Sequence, residues 1–219
     1  MTDDQRYRID REHPIGGEMS EVLLGLLRRL RLSNLLRHHS SVPLLALFSF
    51  VNGCLSIALM AIAALVSGAP FVFPSLGPTA FLCFYTPTAP AAAPRNTITG
   101  HLIGATMGWL CLQVFGLATA KPALVEGVSW ERVLASALSL GLTGGLMVLL
   151  RVPHPPAGAT TLIVSLGLLP HLWQLGVLML AVALLVLQAV VINRLAGLAY
   201  PLWAPPKAAE PKQGAALGP

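Results

Sequence analysis

The sequence predicts an all-α integral membrane protein, a helical bundle in which two segments are broken into an extended stretch and a half-helix, arranged as a 3+3 inverted repeat. Three observations carry this. The chain is 55% hydrophobic and 11% charged, with mean hydropathy +0.71, where soluble domains carry charge at about a quarter of positions. From Pro43 to Tyr200 there are seven charges, Arg95, Lys121, Glu126, Glu131, Arg132, Arg151 and Arg194, each at or near the end of an apolar run. A Pro-x-x-Gly-x-Thr frame occurs twice, at Pro74-Ser-Leu-Gly77-Pro-Thr79 and Pro155-Pro-Ala-Gly158-Ala-Thr160, each time between long apolar runs, as expected of an internal repeat.

Residues 1–20 mix acids and arginines, and the first long apolar run begins only at Pro43, so no signal peptide is expected. Between 22 and 39, Leu23, Leu26, Leu27, Leu30 and Leu35 recur at helical spacing beside Arg28, Arg29, Arg31 and Arg37. This reads as an amphipathic helix on the cytoplasmic leaflet, or as a helix docked on a soluble partner. Residues 1–42 are assigned to this segment.

Residues 44–66 are long enough to span, roughly 20 apolar residues being needed. After the break at Pro74, a half-helix that begins at Gly77-Pro78-Thr79 and carries the apolar run 80–85 leads to a Pro/Ala loop ending in Arg95 and Asn96. Residues 98–118 form the next span, with Gly100, Gly104 and Gly108 on one face, a row that lets another backbone approach closely. A polar loop over 119–130 leads to a span over 133–150, which carries Gly141, Gly144 and Gly145. In the stretch from Arg151 to Gly167, Pro153, Pro155 and Pro156 remove backbone donors and hold the preceding residues extended, so no helix passes through His154. A half-helix that begins at Gly158-Ala159-Thr160 and carries the apolar run 161–169 follows, and 172–192 is the last span. The membrane domain is therefore 43–196, with repeats at about 43–118 and 131–196. Residues 197–219, rich in Pro, Ala, Gly and Lys, read as a flexible tail.

Two topologies compete. If both broken segments are re-entrant there are four crossings, and Arg95 and Arg151 face outside. If both cross there are six, and Arg95, Arg151 and Arg194 share the side of Arg28 to Arg37, which obeys the positive-inside rule at every loop. The lengths also fit: nine helical residues give about 14 Å and five extended ones about 17 Å, roughly the 30 Å of hydrocarbon. With three crossings per repeat the second repeat runs upside down, a common transporter plan.

The run Phe73-Pro-Ser-Leu-Gly-Pro-Thr-Ala, Ala93-Pro-Arg-Asn with Gly100-His101 behind it, and His154-Pro-Pro-Ala-Gly-Ala-Thr together resemble the HPP family of integral membrane proteins. The likeness covers about Pro43 to Arg194. Family members are described as four-helix membrane proteins and as transporters, and some chloroplast and cyanobacterial relatives are linked to nitrite. The resemblance thus implies transport of a nitrite-like anion and differs from six crossings. Nothing here resembles the CBS-type regulatory domain that some members carry.

In an inverted repeat both half-helices begin near the midplane, and each N-terminus offers free N–H groups and about half a positive charge. Two such ends facing each other suit a small anion. The expected binding residues are Ser75, Gly77, Thr79, His154, Gly158, Thr160 and Thr161. Arg95, Asn96, His101 and Arg151 would form a basic vestibule that gathers anions. His154 is either part of this path, as intramembrane ionisable residues commonly are, or a cap for backbone groups that the prolines free. For Arg95 and Arg151 the alternative is anchoring at the membrane edge. No carboxylate lies within the spans to repel an anion or to run an acidic proton relay. An enzyme is not expected, since no nucleophile–base pair or HExxH spacing occurs. Cys54, Cys83 and Cys111 lie apart within apolar runs and read as buried hydrophobes, so neither metal nor cofactor is expected. The net charge of +5 fits positive-inside topology rather than nucleic acid. The expected partners are therefore the lipid bilayer, the anion and a second copy, because two glycine-rich helices could serve a dimer. The expected location is the bacterial inner membrane, multi-pass, with the N-terminus cytoplasmic. A channel, a carrier of another small solute and a non-transporting structural protein remain the alternatives.

Overall fold

The computed structural model describes residues 31–38 and 40–205. Among these the regular elements are helices: α1 (Leu32–His38), α2 (Ser41–Ser67), α3 (Leu76–Tyr85), a 3-10 turn at Pro90–Ala92, α4 (Pro94–Val114), α5 (Ala123–Glu126), α6 (Trp130–Leu149), α7 (Ala157–Ser165) and α8 (Leu172–Leu195). Helices α2, α6 and α8 are long and apolar enough to cross a membrane. At 21 residues, α4 is about 31 Å long but more polar. It can be so because it packs against α6, α7 and α8 and buries Asn96, Thr97 and His101 along with its glycine row. The expected amphipathic helix lies mostly outside the described residues. Its last part, α1, rests on the end of α8, where the Ser33 N–H donates to the Ala196 carbonyl at 3.2 Å.

Several boundaries shift toward prolines. Helices α3 and α7 start at Leu76 and Ala157, one residue ahead of the expected starts at Gly77 and Gly158, whereas α4 starts at Pro94 rather than 98 and α7 ends at Ser165 rather than 169. The reason is that the first helical turn has no acceptor for its N–H groups, so proline loses nothing there and its fixed φ suits the helix. The two copies of the repeated frame also open alike: the Leu76 N–H donates to the Phe73 carbonyl at 2.9 Å and the Ala157 N–H to the His154 carbonyl at 3.0 Å. The shared frame thus extends back to Phe73 and His154. The 119–130 loop is not structureless but contains α5.

Helices α4, α6, α7 and α8 end by the same pair of backbone bonds. Helix α7 stops at Gly167, φ +82, with the Leu168 N–H on the Ile163 carbonyl and the Gly167 N–H on the Val164 carbonyl, a Schellman ending that needs a left-handed residue. Helix α6 ends by the same two bonds, Val152 to Met147 and Arg151 to Val148, but there the left-handed residue is Arg151, φ 53.

Hydrogen bonds assign the helix ends to the two ends of the bundle. At one end the Arg95 N–H donates to the Trp203 carbonyl, Arg95 Nη2 to the Arg151 carbonyl and Arg194 Nη1 to the Tyr200 carbonyl. Helix α3 finishes there too: Asn193 Nδ2 caps the Cys83 carbonyl at 3.0 Å and Ser49 Oγ reaches the Phe84 carbonyl at 3.3 Å. At the opposite end Arg132, almost fully buried, donates to the Ser165 carbonyl from Nη1 at 3.1 Å and to the Lys121 carbonyl from Nη2 at 3.0 Å. A cation at a helix C-terminus completes orphan carbonyls and opposes the negative end of the dipole.

An aromatic and aliphatic cluster including Phe71, Phe73, Leu76, Phe84, Leu178 and Leu185 joins α3 and α8. Tyr200 closes it, 1% exposed, its hydroxyl donating to the Ala92 carbonyl at 2.6 Å; burial pushes this phenol up from its ordinary range, so it stays a donor. The segment just after 196 therefore belongs to the bundle rather than to a flexible tail, because a phenol with a buried acceptor anchors it; residues 206–219 lie outside the described residues. The outer faces carry exposed Leu47, Phe50, Ile62, Leu65 and Leu187, and Cys54, expected to be buried, is exposed among them.

Candidate functional site

Four polar side chains meet in the interior: Thr79 in the first turn of α3, His101 about a third of the way along α4, His154 in the extended stretch before α7, and Thr160 in the first turn of α7. All four are 0% exposed. Thr79 Oγ1 lies 2.9 Å from His101 Nε2 and 3.4 Å from His154 Nε2. The two Nε2 atoms are 3.2 Å apart. On its other side His101 Nδ1 sits 2.7 Å from Thr160 Oγ1, and His154 Nδ1 sits 2.7 Å from the Ala91 carbonyl. The starts of the two short helices are therefore bridged by one imidazole, with a second laid against it at a ring tilt of 59°.

The sequence makes this close approach possible. A Cβ on Gly100 would lie 2.7 Å from His154 Cβ, one on Gly104 2.6 Å from the Ala157 carbonyl oxygen, and one on Gly108 2.8 Å from the Thr161 carbonyl oxygen. The glycine row of α4 is thus the bed of His154 and α7. Its three missing side chains set the distance at which His101 spans from α3 to α7.

The other expected site residues divide. Ser75, at the N-cap of α3, is buried and its hydroxyl has no hydrogen-bond partner among the described residues; its carbonyl accepts from Thr79 Oγ1 at 2.9 Å. Gly77 is exposed and borders open space, so it does not line the cluster. Gly158 faces Leu140 of α6. Thr161 also turns toward α6, donating to the Ala157 carbonyl and lying 2.9 Å from Thr143 Oγ1. Arg95, Asn96 and Arg151 gather at the bundle end: Arg95 Nε donates to Asn96 Oδ1, Asn96 Nδ2 to the Pro90 carbonyl, and Arg95 Nη2 to the Arg151 carbonyl. His101 is not with them; it lies deeper, inside the cluster.

The backbone donors expected at the start of α7 are in use, since the Gly158 and Ala159 N–H groups bond the Pro155 and Pro156 carbonyls. On the α7 side, what faces the gap between the short helices is therefore side chain rather than main chain. A groove of about 520 Å³ on the bundle surface is lined by Gly144, Met147, Val148, Arg151, Pro153, His154 and Pro155, with His154 the cluster residue in its wall. Among the described residues no three His, Cys, Asp or Glu side chains converge as metal ligands.

Sequence reasoning missed the Ala91 carbonyl, Thr143, and the capping roles of Arg132 and Asn193. None of these has a local signal, because each is a partner brought from a distant element. The pairing of His154 with His101 had a faint one: His101 directly follows the first glycine of the row that receives His154.

A family description, the HPP transmembrane region, matches residues 39–201. Two transmembrane proteins of Dictyostelium discoideum are similar: one is 36% identical over 94 residues, 42% of this chain and 27% of the relative. The other is 34% identical over 136 residues, 59% of this chain and 44% of the relative. The chain thus spans less than half the length of these curated relatives. No solved structure matches.

Proposed function

This chain belongs to the HPP transmembrane family, and from that premise we propose that it transports small inorganic anions, nitrite-like in size and charge, held between the first turns of α3 and α7. The observation that carries this reading is the buried Thr79–His101–His154–Thr160 cluster. It joins the positive ends of two helix dipoles, holds donors in a low-dielectric interior where a partial charge counts for more than in water, and has no acidic residue among its hydrogen-bonded partners. The same features oppose a cation. The groove beside His154, with Arg151 at its edge, supplies a route for an anion drawn in by the basic end of the bundle. The Thr160 hydroxyl does face His101 Nδ1 at 2.7 Å, but both residues are fully buried, so the protein is read as a transporter and not as an enzyme.

The transporter plan rests on six crossings in an inverted repeat. In its support, the packed pairs exchange consistently when α2, α3 and α4 are swapped for α6, α7 and α8: α3 on α8 mirrors α7 on α4, α2 on α3 mirrors α6 on α7, and α2 on α8 mirrors α6 on α4. Helix α3 ends among the residues that begin α2, and α7 ends beside the start of α6, so each broken segment runs back along the helix before it. The arginine-rich end, with Arg31, Arg37, Arg95, Arg151 and Arg194, is read as cytoplasmic, in a bacterial inner membrane.

The test is uptake of nitrite, nitrate, formate and chloride into proteoliposomes holding the full chain. The expected result is saturable movement of at least one of them. Movement of a neutral solute or a cation instead, with Thr79→Val and Thr160→Val behaving as wild type, would remove the reading.

A further inference from the structure

We propose that the His101–His154 pair takes up one proton with each anion, so that the site loads a net-neutral pair and the transport step is electroneutral. This rests on the anion reading above. The hydrogens in the cluster follow from its obligatory acceptors. The Ala91 carbonyl can only accept, so His154 Nδ1 carries a hydrogen. Thr79 gives its hydrogen to the Ser75 carbonyl, so its oxygen accepts from His101 Nε2–H at 2.9 Å. His101 Nδ1 then presents a lone pair to the Thr160 hydroxyl. Both rings are neutral in this arrangement and one basic atom is left over. His154 Nε2 has no hydrogen of its own and receives only a share of His101 Nε2–H, 3.2 Å away, since that hydrogen is already on Thr79.

A proton arriving at His154 Nε2 changes the contact from acceptor–donor to donor–donor. Two N–H groups cannot bond each other, so the Nε2 atoms part and both point into one gap rimmed by the Thr79 hydroxyl. An acceptor carrying negative charge fits that gap, and nothing on this chain does. The titratable groups on the elements packed around the pair are committed elsewhere. On α3, Cys83 lies under the Tyr200 hydroxyl and Tyr85 is exposed at the helix end. On α4, Arg95 is held by Asn96 and the Arg151 carbonyl, and Cys111 is ten residues further along. On α6, Glu131 and Arg132 are at the far end, Arg132 capping Ser165, and the exposed Arg151 follows at the near end. On α8, His171 and Gln174 cap its far end, and Arg194 is held by the Tyr200 carbonyl. Helix α7 and the Pro90–Ala92 turn bring none. An imidazolium in the cluster therefore lacks a counter-ion, which is costly away from water, and an anion supplies it. An anion without the proton would meet the bare lone pair of His154 Nε2. Each ligand lowers the cost of the other, and such linkage is reciprocal.

The experiment follows nitrite influx and internal pH together in proteoliposomes of the full chain, with membrane potential set by potassium and valinomycin. Protein-free vesicles are subtracted because nitrous acid itself permeates lipid. The expected result is one proton per nitrite and an accumulation independent of voltage, where an unaccompanied anion would change its accumulation about fifty-fold for roughly 100 mV. Nitrite that moves without protons and follows voltage overturns the coupling and leaves the anion reading standing. If no anion in the panel outruns protein-free vesicles, the anion reading itself falls and the coupling with it. His154→Gln, checked for folding by monodisperse elution, should cut influx at least ten-fold and leave any residue voltage-dependent. A folded variant that keeps one proton per nitrite would sink the assignment to this pair. Should that variant not fold, His101→Gln and the wild-type stoichiometry decide the matter.

Discussion

Thr79 and Thr160 each stand one hydrogen bond from His101, and their hydroxyls are the shortest polar path between the two short helices. If they touch the anion, Thr79→Val and Thr160→Val should each weaken nitrite binding by about 1 to 2 kcal/mol, read as a roughly five- to thirty-fold rise in half-saturation. Unchanged half-saturation in both variants would mean the hydroxyls only hold the histidines. The glycines of α4 and α6 give a contrast in stability. Gly104→Ala would set a Cβ against the Ala157 carbonyl, a backbone atom that cannot give way, at a cost of about 1 to 3 kcal/mol. Gly144→Ala meets nothing within 4 Å and should gain up to about 1 kcal/mol of helix propensity. Melting of the two variants in detergent should move in opposite directions. Arg151 holds a left-handed conformation that costs an ordinary residue about 1 to 2 kcal/mol. Arg151→Gly should therefore raise the melting temperature while lowering transport if the guanidinium gathers anions; a variant with full transport would assign Arg151 to membrane anchoring.

Among the elements, α3 and α7 depend on partners from elsewhere to finish their C-termini, Asn193 for α3 and Arg132 for α7. The six-crossing reading proposed above has α3 and α7 each run back along the helix before it. A cysteine at exposed Thr88 and another at Val125, each in a background lacking Cys54, Cys83 and Cys111, test it by labelling; Ala92 is unsuitable because it is fully buried. The expected pattern is labelling of position 125 from outside intact cells and of position 88 only after permeabilisation. Outside labelling of position 88 would return the broken segments to re-entrant loops and the count to four crossings.

For the whole molecule, the two glycine-rich helices have different fates. The row on α4 is used within the subunit, against His154 and α7, whereas Gly141, Gly144 and Gly145 on α6 border open space. A close-packed contact between copies, if there is one, therefore belongs to α6, where small residues let two helices approach in lipid. A dimer mass is expected in native detergent complexes, and Gly145→Leu should shift it to monomer without loss of folding. A monomer mass for the wild type would remove the idea.

Composition alone determined that this is a helical membrane protein, because burying so few charges among so many apolar residues has no soluble solution. The two Pro-x-x-Gly-x-Thr frames located the starts of the short helices α3 and α7, since proline's missing donor and fixed φ act within one turn whatever surrounds them. The same local reading placed the starts of α3 and α7 within one residue but set that of α4 too late, at 98, by leaving Pro94 in the loop rather than in the first helical turn. The pairing of His101 with His154 is of another kind. The two are 53 positions apart, and only the depth at which α7 beds on the α4 glycines decides that their rings meet. The same holds for Thr161, which faces Thr143 rather than Thr79, for Arg132 and Asn193 as caps, and for Tyr200 as an anchor. Periodicity tells which face of a helix is apolar, but the partner of a polar group is fixed by where distant helices cross, and that distance is set by the packing of the whole bundle.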